Sequence, residues 1–248
     1  MMFSDSVKLS RGTVYHHVTH WKAGSQWFLA VLKDAFDSAV VEPEPSLKHV
    51  YSHPPEIGKV YACCYITRQE YRLLQLPSNA RRVVLIRDLR DTLISAYFSI
   101  RDSHGTNVFI DKWRPVLTRV SMEEGLMYLM EVWLFHSAMI QRTWLSEGEP
   151  VVRLEDFMSK PAETLHHVLS GAWGLKASMA QAEKLIRDNS FVRYSGGRQP
   201  GEEDVSAHYR KGVQGDWKKH FTPRAVEHFK ALYHDVLLLS GYEKSRDW

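Results

Sequence analysis

Cysteine is nearly missing from this chain of 248 residues: only Cys63 and Cys64 occur, side by side. Neighbouring thiols cannot staple distant segments, and no C-x-x-C pair exists for zinc or redox work, so buried, reduced thiols in a strand are expected. No run approaches the roughly 20 apolar residues of a membrane span. The start, Met1-Met2-Phe3-Ser4-Asp5-Ser6-Val7-Lys8, lacks the continuous apolar stretch of a signal peptide. A soluble, cytoplasmic protein without a membrane partner is expected. Long Lys or Arg blocks are absent too, and a formal net charge of +3 is too little to argue for nucleic acid, though enough if gathered around one anion. Of the thirteen histidines, His16, His17 and His20 lie in or just after a strand. Alternation there sends neighbours to opposite faces, and H-E-x-x-H does not occur, so no metal is expected. No internal repeat or low-complexity tract is visible.

A 44% hydrophobic and 25% charged composition fits one sizeable globular domain spanning residues 1–248. Short apolar runs at Val14–Val18, Val60–Ile66, Arg82–Ile86 and Pro150–Leu154 read as buried strands. Helical spacing is expected from Trp27 to Phe36, Arg68 to Gln75, Asp91 to Ser103, Ser178 to Asp188 and from Thr222 onward. The longest helix is expected from Met122 to Leu145, and Lys160-Pro161 opens another. Loops are expected at Glu42-Pro43-Glu44-Pro45 with His53-Pro54-Pro55, at Ser195–Asp204, and at Asn107–Arg119, an irregular stretch placed to act as a substrate-side lid. Strands alternating with helices predict an α/β fold: a three-layer α/β/α arrangement with a mostly parallel central sheet and ligands at the carboxyl ends of its strands.

The most informative stretch is Val14-Tyr15-His16-His17-Val18-Thr19-His20-Trp21-Lys22-Ala23-Gly24-Ser25-Gln26-Trp27, read as strand, tight loop and helix start. Gly24 lets the backbone approach a ligand. The first unpaired N–H groups of the helix, with its positive dipole end, would face an anion above the loop. Lys22 adds a full charge, and Ser25 and Gln26 add donors. This is not a Walker A loop, because Lys22 precedes Gly24 and the upstream glycine is missing. Two further basic sites follow. Arg87 falls at the carboxyl end of a strand, with Ser95 about one turn into the next helix, a pair suited to one phosphate. Tyr209-Arg210-Lys211-Gly212-Val213-Gln214-Gly215-Asp216-Trp217 suits a strap closing over an anion.

Together, Trp21-Lys22-Ala23-Gly24-Ser25-Gln26-Trp27, Arg87 with Ser95, Leu154-Glu155-Asp156 and Arg210 to Trp217 resemble the cytosolic-type sulfotransferases, in that family's order. The last segment matches R-K-G-x-x-G-D-W-K-x-x-F-T; the first matches P-K-S-G-T-T-W with substitutions. The resemblance implies a P-loop-like strand-loop-helix that binds 3′-phosphoadenosine 5′-phosphosulfate (PAPS) as co-substrate without a metal. It implies that Lys22, Ala23, Gly24, Ser25 and Gln26 hold the 5′-phosphosulfate, and that Trp27 stacks on adenine with Phe191 against the ring. Arg87, Ser95, Arg210, Lys211 and Gly212 would hold the 3′-phosphate. Lys22 would act on the bridging oxygen as it leaves. The implied reaction is sulfuryl transfer to a hydroxyl or amine of a small-molecule acceptor, by a monomer or homodimer. A nucleotide-dependent kinase and a non-catalytic phosphonucleotide-binding protein are the alternatives.

Two departures stand out. Family members carry a catalytic histidine about 23 residues before the arginine matching Arg87, a register that falls on Cys64, with Tyr65 following. His104 is taken as the base in its stead, with His20 second, since histidine titrates near neutrality. Leu154 stands where the family often has an adenine-reading tyrosine. Tyr97, Phe98, Trp113 and the loop 195–204 are placed to line an acceptor pocket, although such aromatics are more often core.

Overall fold

The computed structural model describes residues 7–43 and 53–248. The N-terminal residues 1–6, and Glu44 and Pro45 of the expected proline-rich connection, lie outside the described residues. The chain resolves into two compact units, one comprising the part up to Ile86 with Thr143–Ser190, the other Arg87–Arg142 with Phe191–Trp248.

The first unit holds a five-stranded sheet in the order β2-β3-β1-β4-β5. Its strands are β1 (Tyr15–Val18), β2 (Val40–Val41), β3 (Val60–Cys64), β4 (Arg81–Ile86) and β5 (Val151–Arg153). Every pairing is parallel, so the expected mostly parallel sheet is wholly parallel. β1 and β3 are buried at every residue, as strands covered on both faces must be. Helix α1 (Ser25–Phe36) packs on β3 and buries Phe28, Leu29, Val31, Leu32, Ala35 and Phe36, the helical stripe that the sequence displays.

The register between β1 and β3 slips by one residue, from His16↔Tyr61 to Val18↔Cys64. Cys63 takes up the slack with φ +55°, a left-handed conformation unusual outside glycine. Its displaced N–H donates to His17 Nδ1 at 3.3 Å. Thr67 and Glu70 form a capping box on α2 (Arg68–Arg72). The α7 helix (Leu154–Ser159) follows β5, α8 (Pro161–His166) begins on its proline, and Ser178 with Gln181 caps α9 (Met179–Asp188).

In the second unit, α3 (Leu89–Phe98) starts two residues earlier than expected because Asp88 caps it, and passes into a π-turn at Ser99–Ser103. The expected lid at Asn107–Arg119 is instead α4 (Val108–Leu117). Asn107 Oδ1 accepts from the N–H groups of Phe109 and Ile110, both at 3.0 Å, and Ile110, Trp113 and Leu117 are buried on one face; Pro115 sits in the last turn, where it removes one i→i−4 bond and the helix ends two residues later. The expected single helix from Met122 to Leu145 divides into α5 (Met122–Val132) and α6 (Leu134–Leu145). Trp133 leaves helical geometry at φ −127°, so the periodicity continues across a break. Among the described residues the longest helix is therefore α11 (Pro223–Ser240), capped by Thr222. A short helix, α10, spans Phe191–Tyr194. Tyr97, Phe98 and Trp113 are all buried, the core role. No helix among the described residues is long and apolar enough to cross a membrane.

Candidate active site

The loop between β1 and α1 has the geometry of an anion cradle. Gly24 precedes α1 at φ +76°, and a Cβ there would lie 2.7 Å from Leu154 Cδ1. Only glycine fits on both counts. Leu154, in the place of the expected adenine-reading tyrosine, thus packs beneath the loop. Gly24 offers no side-chain cap and the first turn carries no acid, leaving the N–H groups of Ser25, Gln26 and Trp27 for an anion. Lys22 adopts φ +65°, a strained position for a side chain with a Cβ.

Trp27 is half-buried, its indole N–H donating to the Asn189 carbonyl at 2.7 Å. Asn189, fully buried, donates from Nδ2 to Asp34 at 2.8 Å, so the ring plane is fixed by the core. Beneath the loop, His16 and His17 are fully buried. Burial, helped by the Arg82 charge against a bond to Arg81, lowers the His16 pKa to about 4; burial alone lowers that of His17 to about 3. Both are neutral structural rings. His20 is also fully buried, with Nδ1 2.9 Å from the Trp21 carbonyl, which leaves Nε2 as its acceptor when the ring is neutral.

Cys64, at the register of the family's histidine, is fully buried and its thiol donates to the Tyr61 carbonyl at 3.3 Å. Cys63 is likewise buried and reduced, burial pushing its pKa up. The polar group that reaches the cradle from this side is the phenol of Tyr65, 2.6 Å from Ser25 Oγ. The slipped β1–β3 register at Cys63, which no sequence pattern displays, precedes this residue.

In the second unit the strap is tied to α3. The Asp91 carboxylate accepts from the N–H groups of Gly215 at 2.5 Å and Trp217 at 3.0 Å. Burial raises its pKa, opposed by the charge of Arg87 and the Trp217 bond. Ser95 lies four residues on, on the same helix face. Arg210 stacks on the Phe98 ring at 4.5 Å, and a Cβ on Gly212, which has φ +65°, would lie 2.7 Å from the Phe191 ring. Phe191, Arg210 and Gly212 thus meet at the strap that Asp91 ties to α3, with Lys211 on the same strap, Arg87 just before α3 and Ser95 within it. Arg87 also accepts at its carbonyl from Gln141 Nε2 at 2.7 Å.

Two acids hold the strap's cations. Asp216 pairs with Arg210 at 2.5 Å and Lys211 at 2.8 Å, and Glu203 contacts both as well. Burial works against the charge of Asp216, but hydrogen bonds from Lys211 and Arg210 outweigh it and lower its pKa to about 2. The loop expected at Ser195–Asp204 lies against the strap, with Gly201 N–H on the Lys211 carbonyl and Asp204 N–H on that of Arg210. Sequence spacing gives no sign of these roles for Asp91, Glu203 and Asp216, because each depends on how the strap folds back. His104 is exposed at the end of the π-turn, with Nδ1 2.8 Å from the Gly105 carbonyl. Among the described residues no cluster of three or more His, Cys, Asp or Glu is placed to hold a metal.

The model of the sulfotransferase domain matches residues 69–245. A 3-alpha-hydroxysteroid sulfotransferase of Cavia porcellus is 26% identical over 179 residues, 66% of this chain and 58% of that protein. The alignment thus spans little more than half of that relative. Sulfotransferase 1E1 of Bos taurus is 24% identical over 252 residues, 87% of this chain and 80% of that one. A mouse sulfotransferase solved in complex with PAP, the desulfated form of PAPS, superposes with a TM-score of 0.63 at 16% identity, covering 95% of this chain and 90% of its own.

Proposed function

The chain belongs to the sulfotransferase family, and from that premise we propose that it transfers a sulfuryl group from PAPS to a hydroxyl or amine of a small-molecule acceptor. The observation that carries this reading is the cradle. A helix N-terminus without cap or acid follows a glycine that tolerates no side chain, beside a lysine held in a left-handed turn. Such a loop binds an acceptor-only anion such as a phosphosulfate.

PAPS supplies the sulfuryl group; the chain's residues position it and balance charge, as in phosphoryl transfer. In this assignment Ser25, Gln26 and the α1 N-terminus hold the 5′-phosphosulfate, and Lys22 neutralises the departing phosphate oxygen. Trp27, its ring fixed through Asn189, offers a face to the adenine. Arg87, Ser95, Arg210, Lys211 and Gly212 bind the 3′-phosphate, with Phe191 at the ring. For the acceptor's proton we propose His104: its Nδ1 is held at the Gly105 carbonyl, which leaves Nε2 as the basic atom.

The name of the Cavia porcellus relative, a 3-alpha-hydroxysteroid sulfotransferase, supports a small-molecule hydroxyl acceptor. Residues 1–248 are read as one domain, because each unit is assembled from two separate stretches of chain. Two reduced cysteines fit a cytoplasmic location. The test is calorimetric titration with PAP against ADP, followed by mass spectrometry of metabolite extracts incubated with PAPS. Tighter binding of PAP and products heavier by one sulfuryl group are expected; a preference for ADP with no such products would refute the reading.

A further inference from the structure

The β3 bulge decides which side chain meets the donor cradle. β1 and β3 are parallel neighbours, so the residue after β3 and the loop after β1 emerge at one sheet edge, a pairing extended by Thr19 N–H on the Cys64 carbonyl at 3.0 Å. With Cys63 left-handed and bonded through its thiol to the Ser25 carbonyl at 3.4 Å, and Cys64 turned to Tyr61, the next side chain is Tyr65. Its ring meets the Trp21 ring edge-on at 6.1 Å, and its hydroxyl reaches Ser25 Oγ at 2.6 Å. Bulges re-aim side chains in this way beside functional loops.

The direction of that hydroxyl pair follows from chemistry, given the assignment of Ser25 to the phosphosulfate, on which this inference rests. Ser25 has one proton. An ionised phosphosulfate only accepts, so in the complex the Ser25 proton points to the anion and its oxygen must accept from Tyr65. We propose that Tyr65 is a positioning residue for the sulfuryl donor: its O–H donates to Ser25 Oγ and thereby commits the Ser25 hydroxyl to the 5′-phosphosulfate. Hydrogen bonds in such a chain strengthen one another in a buried setting. Burial also raises the pKa of the phenol, outweighing the hydrogen bonds of Ser25 and Gln26 that lower it, so the proton stays on Tyr65 at neutral pH, where a phenolate would reverse the chain. Tyr65 acts through Ser25 and takes no proton from the acceptor.

Tyr65→Phe keeps the ring against Trp21 and removes only the hydroxyl. Two probes separate positioning from loosening: PAP, and adenosine 3′-phosphate, which lacks the 5′-phosphate. The variant is expected to bind PAP about three- to tenfold more weakly, the effect of one hydrogen bond to a charged relay, with adenosine 3′-phosphate binding unchanged and donor KM raised more than kcat falls. Ser25→Ala combined with Tyr65→Phe is expected to bind PAP no more weakly than Ser25→Ala alone. Wild-type affinity in Tyr65→Phe while Ser25→Ala loses binding would overturn the relay and spare the Ser25 assignment. Equal loss for both probes, or effects that multiply in the double variant, would overturn it too. A wild-type protein that binds PAP no better than adenosine 3′-phosphate would overturn the Ser25 assignment and the relay together.

Discussion

Lowering the pH from 7 to 5 should destabilise the protein through two buried rings of β1, His16 and His17. His16 and His17 have folded-state pKa values of about 4 and about 3, below the ordinary 6.5 of an unfolded chain. Because the folded values are depressed, the unfolded state binds more protons between these limits. The stability contribution is full above pH 6.5 and is lost as pH falls towards the folded values. At pH 5 an unfolded histidine is about 97% protonated while the folded rings are nearly neutral, which favours unfolding by about 2 kcal/mol per ring, and about 4 kcal/mol for both. The figure hardly depends on how far below 5 the folded values lie. The paired acids cannot supply it, since Asp216 titrates near pH 2, and Asp91, whose pKa is raised, acts with the opposite sign. For a chain of this size the loss corresponds to a fall in Tm on the order of 10 °C. Urea unfolding at the two pH values measures it directly. His17→Gln, whose amide oxygen can still accept from Cys63 N–H, should remove about half of the pH-dependent loss. Equal stability at pH 7 and 5, or an undiminished difference in His17→Gln, would refute the reasoning.

Lys22→Ala should lower kcat by about a hundredfold to a thousandfold, the effect of losing one charge-stabilising contact in a transition state, with Tm little changed; full activity in a PAPS-dependent assay would remove Lys22 from the mechanism. Gly24→Ala should destabilise and weaken PAP binding together, since a Cβ meets Leu154 at 2.7 Å in a left-handed turn; a thermal melt like that of the wild type would contradict this. Arg210→Ala should abolish the preference for PAP over adenosine 5′-phosphate, read by titration. Glu203→Gln, which removes a carboxylate shared by Arg210 and Lys211, should tighten PAP binding severalfold and leave adenosine 5′-phosphate unaffected. His104→Gln should lower kcat by about a hundredfold with PAP binding unchanged; an unaltered kcat would assign the base elsewhere.

Local signals in the chain determined much of this protein. The apolar runs at Val14–Val18, Val60–Ile66 and Arg82–Ile86 hold the parallel strands β1, β3 and β4, and Gly24, Ser178, Pro161 and Thr222 mark helix starts that the fold retains. Those features follow from side-chain periodicity and capping chemistry, which act within a few residues. Only the tertiary structure decided what depended on contacts between distant segments. A one-residue bulge, invisible in any pattern, gave Ser25 the Tyr65 hydroxyl while turning Cys64 to its own strand. Sequence shows the strap's cations and glycines alone, while in the fold Asp91 grips its backbone from α3 and Asp216 and Glu203 pair with its cations. The helix break at Trp133 likewise kept the hydrophobic period intact. Sequence specified which groups could bind an anion; packing and pairing register determined which partners each of them has.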